Sequence, residues 1–176
     1  VAASLTERMF GSMPDGTPVR LFTLTNAHGT EVQAITYGLI LVSIRIPDRQ
    51  GRLGDVVIGH DNLEDYFTKS RFFGAVVGRY GNRIAGGHVA IDGNAYRLTL
   101  NNGPNHLHGG MKGFDKVVWD AEVTRDSRGP SVVFTHTSPD GHEGYPGTLA
   151  ARVAYTLTDG SDLIVEYSAT TDQATI

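Results

Sequence analysis

Alternation of apolar and polar side chains dominates the last third of the chain. In "TLAARVAYTL" (148–157), Leu149, Ala151, Val153, Tyr155 and Leu157 fall on one face, with Thr148, Arg152 and Thr156 on the other. "DLIVEYSAT" (162–170) repeats the period, with Leu163, Val165, Tyr167 and Ala169 set against Glu166 and Ser168. A period of two sustained this long predicts strands buried on one side. The short, turn-forming "TDGSD" between them predicts a hairpin. "HVAIDGNAYRLTL" (88–100) reads as two more strands around Asp92-Gly93. Further strands are predicted over "VRLFTLT", "EVQAITYG", "ILVSIRI", "GDVVIG", "KVVWDAEVT" and "SVVFTHTS". One helical turn is expected at "DNLEDYF", capped by Asn62. The pattern predicts an all-β, antiparallel protein, a β-sandwich occupying residues 1–176 as one domain.

Composition supports that reading and narrows the functions. The 22 glycines and 7 prolines suit many short strands joined by tight turns. A chain of 176 residues is long enough for one well-cored domain and marginal for two. No linker, repeat or low-complexity tract divides it. A net charge of −4 and a pI near 5.9 give nucleic-acid binding no electrostatic basis. No apolar run reaches membrane-spanning length, so neither a membrane nor a nucleic acid is expected as partner. The absence of cysteine rules out disulfides and thiolate metal sites. The chain opens on Val1 rather than methionine, and "VAAS" fits the remnant of a processed leader. The compartment is therefore open, with the cytoplasm as default and a periplasmic or secreted location if a leader was removed.

Candidate chemistry lies in three polar islands between strands: "GRYGNRIAGG" (78–87), "NNGPNHLHGGMKGFDK" (101–116) and "SPDGHEGYPG" (138–147). Loops on a rigid β-scaffold are where sites are commonly built. On an extended segment His106 and His108 share a face and can converge on one ion. The cupin metal motif uses such a pair but adds a glutamate shortly after it, whereas here no carboxylate follows until Asp115. His136, His142 and Glu143 are further donors that the spacing does not tie to the pair. The competing reading is that the imidazoles bond loop backbone, which is favoured for His106. Arg83, beside Asn82, is either a tie for loop carbonyls, the reading favoured on its own, or a donor fork aimed into a pocket of hydroxyl or carboxylate oxygens. Asp140, His142, Glu143 and Tyr145 lie among turn formers, so that loop reads as a pocket wall.

In order and wording the islands are specific. "GRYGNRIAGG", "IDGNAYRLTLNNGPNHLHGGMKGFDKVVWD" and "SPDGHEGYPGTL" resemble the aldose 1-epimerase (galactose mutarotase) family, from about Phe10 to the last residue. The "NHLHGG…GFDK" wording separates the chain from hexose-6-phosphate epimerase relatives, which share the fold. The resemblance implies the mutarotase-type supersandwich and interconversion of the α and β anomers of free aldoses such as galactose or glucose, with no metal or organic cofactor. It implies that Arg83 and Asn82 bind substrate hydroxyls and that His108 is the first active-site histidine, contacting the sugar near the reacting oxygens. His106 receives no catalytic role.

The family pattern continues past "TTDQATI" to a second histidine, the general acid, and to a late glutamate, the general base. Both fall beyond Ile176, and neither Glu143 nor Glu166 is a substitute. The expectation is an amino-terminal portion of an epimerase, with unpaired strand edges that favour self-association or a missing carboxyl-terminal portion. A non-catalytic carbohydrate-binding sandwich that keeps Asn82, Arg83 and His108 is the alternative. A cupin-like metal enzyme using His106 and His108 is a third reading.

Overall fold

The computed structural model describes residues 2–69 and 72–176. Val1, on which the leader reading rests, lies outside them. Two antiparallel sheets face each other. The first has five strands in sequential order: β1 (Ser4–Ser12), β2 (Pro18–Thr25), β3 (Glu31–Ile35), β4 (Ile40–Pro47) and β5 (Leu53–Asp55). Next in the chain come the short strands β6 (Arg83–Ala85), β7 (His88–Ile91), β8 (Asn94–Arg97) and β9 (Asn105–Leu107). The second sheet is β10 (Asp120–Asp126), β11 (Gly129–Ser138), β12 (Leu149–Leu157) and β13 (Leu163–Thr171), again in order.

The period-two faces make the core. Phe22 and Leu24 of β2, with Val32 and Ala34 of β3, meet Val132 and Phe134 of β11 and Val153, Tyr155 and Leu157 of β12. Phe22 and Phe134 pack edge to face at 5.7 Å. Each fully buried Leu or Phe contributes roughly 1.5–3 kcal/mol. The opposite face of β2 is also apolar, and Val19 and Leu21 pack with Ile35, Ile40, Leu63 and Tyr66. Leu63 and Tyr66 belong to a short α-helix, α1 (Leu63–Thr68), whose Asn62 side chain accepts from the Asp65 amide as expected of its cap. The first sheet is thus covered on both sides.

The two predicted hairpins form, with Leu157 opposite Leu163 and Ile91 opposite Asn94. Asp92 and Gly93 both take positive φ, 49° and 81°, the backbone of a type I′ turn. Along β13 the periodicity overstates burial. Leu163 and Val165 reach the core, but Tyr167 on the same face is 66% exposed. β13 is an edge strand, and Tyr167 instead borders an apolar groove of about 310 Å³ with Trp119, Phe114, Val153 and Ile176. No helix among the described residues is long and apolar enough to cross a membrane.

Candidate functional site

Two of the islands pair with each other. β6 and β9 form an antiparallel ribbon in which Arg83 lies opposite Leu107 and Ile84 opposite His106. The ladder extends one step further, to Asn82 and His108. The His108 amide donates to the Asn82 carbonyl at 3.0 Å, and the Asn82 amide donates to His108 Nδ1 at 2.9 Å. This second bond fixes the ring's chemistry. A neutral imidazole that accepts at Nδ1 carries its proton on Nε2, so His108 offers an Nε2–H donor.

Backbone geometry separates the two histidines. Leu107, His108, Gly109 and Gly110 form a turn closed by Gly110 N–H to the Leu107 carbonyl at 3.1 Å, with φ of 49° at His108 and 90° at Gly109. Positive φ at both central positions is the type I′ pattern, and histidine is among the side chains enriched there. Because His108 sits in the turn rather than in the strand, it does not share a face with His106. His106 is fully buried, with Nδ1 donating to the Thr99 carbonyl at 2.7 Å and Nε2 accepting from the Tyr145 hydroxyl. Both of its nitrogens are used, so the pair does not present two ligands to one ion. Among the described residues no three His, Asp or Glu side chains converge as metal ligands.

Of the two glycines after His108, Gly109 is required by a backbone contact, while Gly110 faces the Glu143 side chain. A Cβ on Gly109 would lie 1.5 Å from the Gly78 carbonyl oxygen. The side chain of Asn101 bridges the turn, donating to the carbonyls of Leu107 at 2.8 Å and Gly110 at 2.9 Å and accepting from the Leu107 amide at 2.7 Å. Phe72 packs its ring on His108 at 4.7 Å, and Lys116 Nζ sits over the Phe72 ring at 5.1 Å while pairing with Asp115 at 2.6 Å. Burial lowers the His108 pKa from its ordinary 6.5; Asp115 opposes this, and the positive Arg83 and Lys116 add to it. The ring is therefore neutral at pH 7.

Arg83 is exposed, and among the described residues its guanidinium is held at one edge. Nε donates to Asn102 Oδ1 at 2.9 Å and Nη1 reaches Asn82 Oδ1 at 3.4 Å. The expected trio Asn82, Arg83 and His108 thus lies together at one end of the β6–β9 ribbon. An open cavity of about 430 Å³ adjoins it, with Tyr37, Phe67, Phe72, Asn102 and Lys116 in its wall. Asn102 links that wall to Arg83, and Phe72 links it to His108.

The remaining candidates do not join the trio, although Glu143 accepts from the Met111 and Lys112 amides just past the His108 turn. His136 packs between Phe114 and Trp119 on β11. His142 Nδ1 shares a hydrogen bond with the Ser138 hydroxyl at 2.8 Å, and Asp140 accepts from the Gly147 amide. Asp140 turns back into its own loop, whereas Glu143 reaches across to the Met111 and Lys112 amides. One residue the sequence did not single out organises the 138–147 loop. Arg79 donates to the carbonyls of Ser138, Pro139, Pro146 and Gly147, to Ser138 Oγ and to Thr175 Oγ1. Its only sequence signal is an arginine inside a glycine-rich island, the same signal that Arg83 gives.

Residues 20–176 match the family model described as Aldose 1-epimerase. The chain is 48% identical over 173 residues to galactose mutarotase of Bos taurus, covering 98% of this chain and 49% of that protein. To aldose 1-epimerase of Escherichia coli (strain K12) it is 41% identical over 160 residues, covering 91% of this chain and 45% of that protein. The crystal structure of galactose 1-epimerase from Lactobacillus acidophilus NCFM superposes with a TM-score of 0.87 at 30% identity, covering 99% of this chain and 51% of that one. The chain spans about half the length of the curated relatives it matches. The match over nearly the whole of this sequence, joined to a sandwich of the same architecture, places the chain in the aldose 1-epimerase family.

Proposed function

We propose that this chain carries the sugar-binding part of an aldose 1-epimerase site, in which Asn82, Arg83 and His108 hold a free aldose such as galactose or glucose. The observation that carries the reading is the double hydrogen bond between Asn82 and His108, which leaves His108 an Nε2–H donor at the same end of the ribbon as Arg83. A neutral donor and a planar charged fork suit the lone pairs of hydroxyl and ring oxygens.

Anomer interconversion needs a base to remove the O1 proton and an acid to protonate the ring oxygen as the C1–O5 bond breaks. The aldehyde then turns about C1–C2, and the oxygen adds back to the other face while the two groups exchange roles. His108 contributes orientation and a hydrogen bond to an oxygen near the reacting centre. Glu143 is bonded to main-chain amides and Glu166 to Arg128, so neither stands beside His108 as a base. A general acid and a general base each contribute about a hundredfold or more. The chain by itself is therefore expected to bind the sugar without turning it over at an enzymatic rate.

The test pairs titration with turnover. A methyl galactopyranoside, whose anomeric oxygen has no exchangeable proton, is titrated while the His108 ring and the Arg83 guanidinium are followed by NMR. Fresh α-galactose is followed by polarimetry. The expected result is saturable perturbation of both side chains and decay of rotation at the buffer rate. Absence of perturbation overturns the binding role, and robust turnover overturns the assignment of catalysis to groups outside this chain.

A further inference from the structure

We propose that Glu143 is a positioning residue for His108, its carboxylate clamping the main chain that leaves the His108 turn. The inference rests on the sugar-binding reading for its functional meaning, but the clamp itself is independent of it. Glu143 Oε1 accepts from the Lys112 amide at 2.8 Å and Oε2 from the Met111 amide at 3.1 Å. Two amides on one carboxylate form a charge-assisted pair, stronger and more directional than neutral bonds. Asn101 already grips the turn at Leu107 and at the Gly110 carbonyl. Glu143 grips it at the next two residues, so His108 and Gly109 are held from both sides.

Other features fit a built contact. A Cβ on Gly110 would lie 2.2 Å from Glu143 Oε2, so the carboxylate occupies the space that the second glycine of "HGG" leaves open. Glu143 itself has φ of 53°, a conformation disfavoured for a residue with a Cβ. Its carbonyl accepts from the Thr99 amide at 3.0 Å, which fixes that backbone against the strand-like segment leading into Asn101. The loop bearing Glu143 does not need its carboxylate to stay in place. Arg79 binds four of that loop's carbonyls, Asp140 closes it through Gly147, and Tyr145 anchors it on His106. Met111 and Lys112 are exposed, so water can satisfy their amides if Glu143 is removed. What is lost is then the direction of the turn rather than the fold.

The test uses the 176-residue chain, with Glu143→Ala and the isosteric Glu143→Gln. Long-range proton–nitrogen NMR reports which ring nitrogen of each histidine carries the proton. Wild type is expected to hold His108 as the Nε2–H tautomer. In Glu143→Ala the His108 signals are expected to average between tautomers and its titration midpoint to rise toward 6.5. Affinity for methyl galactopyranoside should fall about tenfold. The amides of β12 and β13 and the His106 ring should stay as in wild type, and Glu143→Gln, which keeps one acceptor, should lie between. If Glu143→Ala fails to fold, the intermediate tautomer shift in Glu143→Gln carries the test. An unchanged His108 tautomer and titration in the folded variants overturns the proposal. A wild-type chain that ignores the galactoside while His108 still responds to Glu143→Ala upholds the clamp and sinks the sugar-binding reading instead.

Discussion

Replacing His108 by asparagine separates the turn from the donor. Asparagine tolerates positive φ as well as histidine does, so His108→Asn should change stability by less than about 1 kcal/mol. It removes the Nε2–H, and galactoside binding should be lost in the same sample. His106→Phe is expected to do the reverse. It strips partners from the Thr99 carbonyl and the Tyr145 hydroxyl in a fully buried position, which should cost about 3 kcal/mol in urea unfolding. Two histidines one residue apart thus give opposite mutational signatures. Sequence spacing alone left them a possible metal pair, because the rule that residues two apart share a face assumes an extended chain. Nothing in the spacing marks His108 as a turn residue; its φ of 49° and that of Gly109 do.

At the level of elements, the strands legible in the sequence are those long enough to show alternation, β2, β4 and β11 to β13 among them. The ribbon that holds the site was not legible, because β6 and β9 have three residues each and sit in glycine- and asparagine-rich text. β1 was missed for another reason: most of its positions are exposed, so no apolar face marks it. "GDVVIG" promised a strand that ends at Asp55. There the carboxylate accepts from the Ile44 and Val57 amides and replaces the ladder with a turn. In "KVVWDAEVT" only the part from Asp120 joins the second sheet. Residues 117–119 cross to the first, where the Trp119 amide donates to the Thr36 carbonyl. Contacts distant in sequence decide each of these, and periodicity does not encode them. The same holds for Gly109, which is required less by its own turn than by the Gly78 carbonyl packed against it. Gly109→Ala combines a backbone clash with positive-φ strain and should cost at least about 3 kcal/mol, read as a lower urea midpoint. Gly93→Ala meets open space in the β7–β8 hairpin and should cost only its φ strain, about 1 kcal/mol.

Across the whole molecule, burial of imidazoles ties stability to pH. His108, His136 and His142 all have pKa values lowered from 6.5, in each case chiefly by desolvation. His136 is the clearest case, with Nε2 buried and unpartnered between the rings of Phe114 and Trp119. In the unfolded chain these groups take up protons near pH 6.5, while in the folded chain they do so only at lower pH. Between those two points the unfolded state binds more protons, so stability rises with pH through this window and is lost as pH falls below about 6.5. The perturbed carboxylates act lower down. Those of Asp48, Asp65, Asp126 and Asp172 are depressed below 3.8, so their contribution persists until the solution is more acidic still. Thermal unfolding followed by circular dichroism should therefore show Tm constant from pH 8 to 7 and falling between about pH 6.5 and 5. His136→Phe keeps an aromatic ring in the same slot and removes one titrating group, so its Tm should fall less steeply over that interval. A wild-type profile flat to pH 5 would mean that these rings are hydrated or paired in solution. Equal slopes for wild type and His136→Phe would remove His136 from the account and leave the effect to His108 and His142.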